Sequence, residues 1–119
     1  MYGLVINGKL SMNEGLPNLE QMQAVVGGLI ETAYRGATNR KNITVDIYCN
    51  EEGLILDLPV SVLRRVDMSP IAGNLIIVGG DNSTGETASL TTEEIEGAFN
   101  RGFHVIDGPD APPLRLFGL

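Results

Sequence analysis

The chain has 119 residues, 43% hydrophobic and 19% charged, a composition that fits one globular domain able to bury a core without disulfide or metal staples. Eight Lys and Arg against fifteen Asp and Glu leave a formal charge of −7, which argues against general nucleic-acid binding, because phosphate backbones are held by clustered cations. Cys49 is the single cysteine, the longest apolar runs resemble the short Leu75-Ile76-Ile77-Val78, and the first residues lack a basic and apolar leader, so a cytosolic protein with no internal disulfide and no membrane span is expected.

Tyr2 to Asn7 is β-branched and apolar, and Asn7-Gly8 supplies the positive φ angles of a tight turn, so a hairpin into Lys9 to Met12 is predicted. Asn18 precedes Leu19, Met22, Val25, Val26 and Leu29 at helical spacing, with Gln21 placed to complete a capping box and Gly27-Gly28 to end the helix. Leu29 to Arg35 and Ile43 to Cys49 read as a hairpin separated by Gly36 to Asn42. In the second of these strands Ile43, Val45, Ile47 and Cys49 share one face and Thr44, Asp46 and Tyr48 the other, which points Cys49 to the core.

Asn50-Glu51-Glu52-Gly53 has the composition of a turn, and Leu54-Ile55-Leu56 is expected as a short strand after it. Pro59 fits a first helical turn, so Pro59 to Arg65 is predicted as a short helix burying Val60, Leu63 and Val66. Ile71 to Gly80 carries the Leu75 to Val78 run, which suits the most buried strand. Asp81 to Thr87 is a loop by composition, and Thr91 with Glu94 forms a second capping box ahead of a helix over Thr92 to Arg101. Phe103 to Ile106 is expected as an edge strand. The sum is an α+β domain over residues 1–107, with an antiparallel or mixed sheet of about four to six strands and two main helices on one face, followed by an irregular tail over 108–119.

The run Cys49-Asn50-Glu51-Glu52-Gly53, then Leu58-Pro59, Ile71-Ala72-Gly73-Asn74 and Ile77-Val78-Gly79, preceded by Val25-Val26-Gly27-Gly28-Leu29-Ile30-Glu31, resembles an uncharacterised domain family found mainly in bacteriophages and mobile elements. The likeness spans roughly residues 19 to 99 with its pieces in order; Arg35 to Asn42 is a longer insert and Phe103 to Leu119 an extension. The resemblance brings no activity and no catalytic residues. It implies provenance: a small accessory protein made by a phage or mobile element in a bacterial host.

Chemistry-bearing residues are few. A Cys-His pair would rest on Cys49 and His104, one residue of each type, and a Cys and His zinc site lacks ligands. Glu51-Glu52 and Glu93-Glu94 have ordinary explanations in turn solvation and the helix dipole. Gly79-Gly80-Asp81-Asn82-Ser83-Thr84-Gly85 is the most ligand-like stretch, since glycine-rich backbone can cradle a phosphate, although the lysine of a P-loop is missing. Arg35, Arg40 and Lys41 form one local basic cluster and Arg64-Arg65 a second.

Three function classes follow, none needing a cofactor. The leading one is a non-enzymatic accessory protein acting by binding in the host cytosol against a host defence or regulatory protein. Residues 81–119 carry seven acids and two bases, and Glu93, Glu94, Glu96, Asp107 and Asp110 would present an acidic surface to a basic patch. The second is a homo-oligomer that sequesters an anionic, nucleotide-like molecule using Arg35, Arg40, Lys41, Gly79, Gly80, Asn82, Ser83 and Thr84. The third is an enzyme built on the Cys49 and His104 pair, and a structural or assembly component stays open beside it.

Overall fold

Asn7 and Gly8 both take left-handed backbone, φ 53° and 80°, and close the hairpin of β1 (Tyr2–Ile6) and β2 (Lys9–Asn13). The structure is a computed structural model and describes residues 1–106. α1 (Leu19–Val26) begins with the expected capping box, Asn18 accepting from the Gln21 N–H at 2.8 Å and Gln21 accepting from the Asn18 N–H at 2.9 Å, and ends at left-handed Gly27. β3 (Ile30–Ala37) and β4 (Ile43–Asn50) pair antiparallel with a bulge between Thr32 and Tyr34.

β5 (Val60–Arg64) and β6 (Pro70–Ala72) form a third hairpin, followed by β7 (Leu75–Asp81), the short β8 (Thr87–Ala88), α2 (Thr92–Gly102) and β9 (Phe103–Val105). α2 starts on the Thr91 and Glu94 capping box. The main sheet runs β2-β1-β7-β4-β3 with β8 joined to β7, and a smaller sheet runs β6-β5-β9; every pairing is antiparallel. The molecule is α+β, as its alternating strands and two capped helices predict.

β7 explains the layering. Its Leu75, Ile76, Ile77 and Val78 are all buried, so apolar side chains leave it on both faces and both need cover. On one face Leu75 and Ile77 join Val45, Ile47 and Cys49 of β4 with Ile95, Ala98 and Phe99 of α2 and Val62 and Phe103 of the small sheet. On the other, Ile76 and Val78 pack with Met22 and Val26 of α1, with Tyr48 at the margin. The two helices expected on one face therefore lie on opposite faces, because a strand apolar on both sides is covered on both.

Two segments depart from their expected structure. Leu54-Ile55-Leu56 is not a strand but part of a turn, with the three side chains 60%, 82% and 53% exposed. Pro59 to Arg65 is not a helix: Val60 to Arg64 pairs with β6 and β9, burying Val62 and Leu63, while Val66 is 85% exposed. Alternating β-branched Val60 and Val62 serve a strand between two partners better than a single helical turn would. The expected tail over 108–119 lies outside the described residues, while Phe103 to Val105 is the edge strand foreseen.

Candidate functional site

Arg35 and the glycine loop do come together. Arg35 on β3 stands opposite Asp46 on β4, and its Nε donates to Asp46 Oδ1 at 2.8 Å. Thr44 Oγ1 donates to the same oxygen at 3.1 Å, and the Tyr48 hydroxyl lies 3.5 Å from Oδ2. The hydrogen bond and charge of Asp46 raise the Arg35 pKa, fixing it as a cation already partnered. Arg35, Gly79, Gly80 and Asn82 share the wall of an open cleft of about 270 Å³ with Asp46, Asp81 and Glu86. Ser83 and Thr84 stand outside that wall, and Lys41 is exposed on the β3–β4 turn.

Within this cleft the glycines have structural work. A Cβ on Gly80 would sit 2.7 Å from Asp46 Oδ2, and one on Gly79 would sit 2.5 Å from the Ala88 carbonyl oxygen. Backbone N–H groups of the loop are turned inward: Asn82 donates to Asn42 O, Ser83 to Asp81 Oδ1, Thr84 and Gly85 to Asp81 O, and Glu86 to Thr84 Oγ1. A phosphate cradle needs such groups free. Among the described residues, three carboxylates against one paired guanidinium also make the lining net negative, which opposes an anionic ligand.

The second cation of the basic cluster is also engaged. Arg40 reaches from the β3–β4 turn to α2, where Nε donates to Glu94 Oε2 at 3.0 Å and Nη2 to Glu94 Oε1 and to Ser89 O, each at 2.8 Å. Glu94 also accepts from the Thr91 N–H at 2.8 Å. Burial alone would push Glu94 up, but the hydrogen bonds from Arg40 and Thr91 and the charge of Arg40 outweigh it and hold the carboxyl below the usual glutamate range. Of the expected acidic surface, Glu93 and Glu96 stay exposed while Glu94 is consumed; Asp107 and Asp110 lie outside the described residues. Arg101, exposed on the same helix, further dilutes the negative charge there.

The turn after β4 is built differently. Buried Asn50 donates from Nδ2 to the Val26 carbonyl at 3.0 Å and accepts the Glu52 N–H at 2.7 Å, while the Glu51 N–H donates to Leu29 O at 2.9 Å. Gly53 is buried against β6, where a Cβ would meet the Ala72 carbonyl oxygen at 2.5 Å. The Leu56 N–H to Glu52 O and Leu58 N–H to Gly53 O bonds, 2.9 and 3.0 Å, close the chain into a compact knob. Anchored at its base, the knob holds Leu54, Ile55 and Leu56 out in solvent. Between it and β6 runs a groove of about 360 Å³, walled by Leu54, Ile55, Pro70 and Ile71 and rimmed by Glu31, Glu51 and Glu52.

Arg64 and Cys49 also line this groove. The Arg64 Nε is buried without a hydrogen-bond partner among the described residues. Burial, with the charge of Glu31, pushes the Cys49 thiol up to about 11 against the opposing charge of Arg64, so the thiolate a nucleophile requires is scarce. His104, the other half of the thiol pair considered above, has its Nε2 2.9 Å from Arg65 Nη1. Among the described residues, no group of three or more His, Cys, Asp or Glu side chains is placed to hold a metal, and no helix is long and apolar enough to cross a membrane.

A protein-family model described as Domain of unknown function (DUF3846) matches residues 3–104. The chain belongs to this family. No curated protein and no solved structure matches it. The DUF3846 match starts within β1 and ends within β9, so it takes in the first hairpin and the Arg35 to Asn42 segment as well as the motifs between residues 19 and 99. The knob and its groove lie wholly inside the DUF3846 domain. Sequence reasoning singled out Asn50, Glu51, Glu52 and Gly53 and missed Leu54 to Leu56 as a surface. The available signal was a run of three aliphatic residues bracketed by Glu51, Glu52 and Asp57, with no alternation to bury it.

Proposed function

We propose that this chain is a non-enzymatic accessory protein, made by a phage or mobile element, that acts by docking on a host protein of a defence or regulatory system in the bacterial cytosol. The observation that carries the reading is the knob: three consecutive aliphatic side chains, more than half exposed, are held on a turn whose base is locked by Asn50 and Gly53. Exposed apolar clusters rimmed by polar groups mark interaction sites, and a rigid base lowers the ordering cost of binding. The provenance rests on the family resemblance described above. The docking surface moves from the C-terminal acids to residues 51–57, because Arg40 consumes Glu94 whereas Glu51, Glu52 and Asp57 stay exposed.

The test is affinity purification from a bacterial host with quantitative mass spectrometry, comparing the native chain with the variant Leu54→Ser/Ile55→Ser/Leu56→Ser. One host protein held in fixed stoichiometry and lost with the variant is the expected result. Equal retention by both, or a nucleotide carried by the native chain in place of a protein, would overturn it.

A further inference from the structure

The groove beside the knob has a chemistry of its own. Its walls are aliphatic, from Leu54, Ile55, Pro70 and Ile71, and its rim carries Glu31, Glu51 and Glu52, all exposed. Among the described residues the one cation in the lining is Arg64, which is part-buried, with its Nε out of reach of solvent. At about 360 Å³ it stands at the small end of ligand sites, the size for a few side chains and too small for a dinucleotide.

Resting on the docking reading above, we infer that this groove receives a short segment of the partner protein in which aliphatic side chains are flanked by Lys or Arg. The aliphatic groups leave water against Leu54, Ile55, Pro70 and Ile71, and the cations meet the three glutamates. A second copy of this chain is disfavoured as occupant, since two acidic rims would be brought face to face, and an anionic membrane surface is disfavoured for the same reason. Complementary charge at an exposed rim acts on encounter rate and choice of partner more than on total affinity, and it is screened by salt.

Selection of a displayed library of short random peptides on the full chain tests this, followed by fluorescence polarisation of the winners. Enriched peptides are expected to combine Leu, Ile, Val or Met with Lys or Arg. Their affinity is expected to fall about tenfold with Ile55→Ser, and severalfold with Glu31→Gln/Glu51→Gln/Glu52→Gln, which also flattens the salt dependence. Enrichment of acidic or uncharged peptides, or no effect of the glutamine variant while Ile55→Ser abolishes binding, overturns the basic-segment inference and leaves the docking reading standing. Failure to enrich any peptide, or binding indifferent to both variants, removes the groove as a site, and the host-protein capture above then decides the docking reading separately. A dimer in sedimentation that Ile55→Ser dissociates would show the occupant to be a second copy and overturn the proposal.

Discussion

Gly53 is confined by backbone, not by a movable side chain: the atom its Cβ would strike is the Ala72 carbonyl oxygen, 2.5 Å away. Gly53→Ala is therefore expected to cost about 2 kcal/mol in urea denaturation by displacing the knob from β6. Glu94 offers a prediction with a sign. Its carboxyl is held below the usual range in the folded state, so the stabilisation it gives is complete above the ordinary glutamate pKa and is lost as pH falls through the folded value. Glu94→Gln should cost about 1 kcal/mol at neutral pH, a modest figure because Arg40 is partly solvated, and the gap from the native chain should narrow below about pH 4. Thermal melts of both proteins across that range check it; a gap that stayed constant would show that the Arg40 and Thr91 contacts do not depend on the carboxylate charge. Cys49 gives a kinetic counterpart. A thiol raised to about 11 and buried should react with a disulfide reagent at pH 8 at least about 100-fold more slowly than free cysteine, and at ordinary speed once the chain is unfolded.

The elements show where sequence was legible and where it was not. Both helices and the first two hairpins were readable because each carries a local signal that needs no tertiary partner: Asn7-Gly8, the Asn18 and Gln21 box, the Thr91 and Glu94 box, and the alternation from Ile43 to Cys49. β5 was not, since Val60, Leu63 and Val66 fit a helical spacing as well as Val60 and Val62 fit a strand, and only the neighbours β6 and β9 decide between them. The knob was misread for a related reason: an apolar triplet is the same string whether it is buried in a sheet or held out for a partner. The opposite placement of the helices was legible in principle, because a four-residue apolar run in β7 demands cover on both faces. The joint among these elements is Asn50, whose side chain ties the end of α1, the end of β4 and the start of the knob through Val26 O and the Glu52 N–H. Asn50→Ala strands a buried carbonyl and an amide at once, and is expected to lower stability by about 2 to 3 kcal/mol. Amide exchange should then quicken at Glu52, and a variant that lost stability without that local change would place the effect in the core instead.

At the scale of the whole molecule, stability and recognition are drawn from different residues. The core uses both faces of β7, with α1 over one and α2 with the small sheet over the other, and none of Leu54, Ile55 or Leu56 contributes to either cluster. Truncating a side chain in those clusters, as in Ile77→Ala, should cost about 3 kcal/mol, the usual penalty of a cavity in a packed interior. The same logic predicts the opposite for the knob. Leu54→Ser/Ile55→Ser/Leu56→Ser removes more apolar surface than Ile77→Ala does, yet more than half of that surface is already in water, so the unfolding free energy read from the denaturation midpoint should stay within about 0.5 kcal/mol of the native chain per residue changed. Solubility should rise, since an aliphatic patch without a partner favours self-association. A large loss of stability in the serine variant would mean that the knob closes the fold, and its exposure would no longer argue for a partner. An unchanged midpoint would mean that three aliphatic side chains stand in solvent without stabilising the chain that carries them, which is the position of residues whose burial takes place on another molecule.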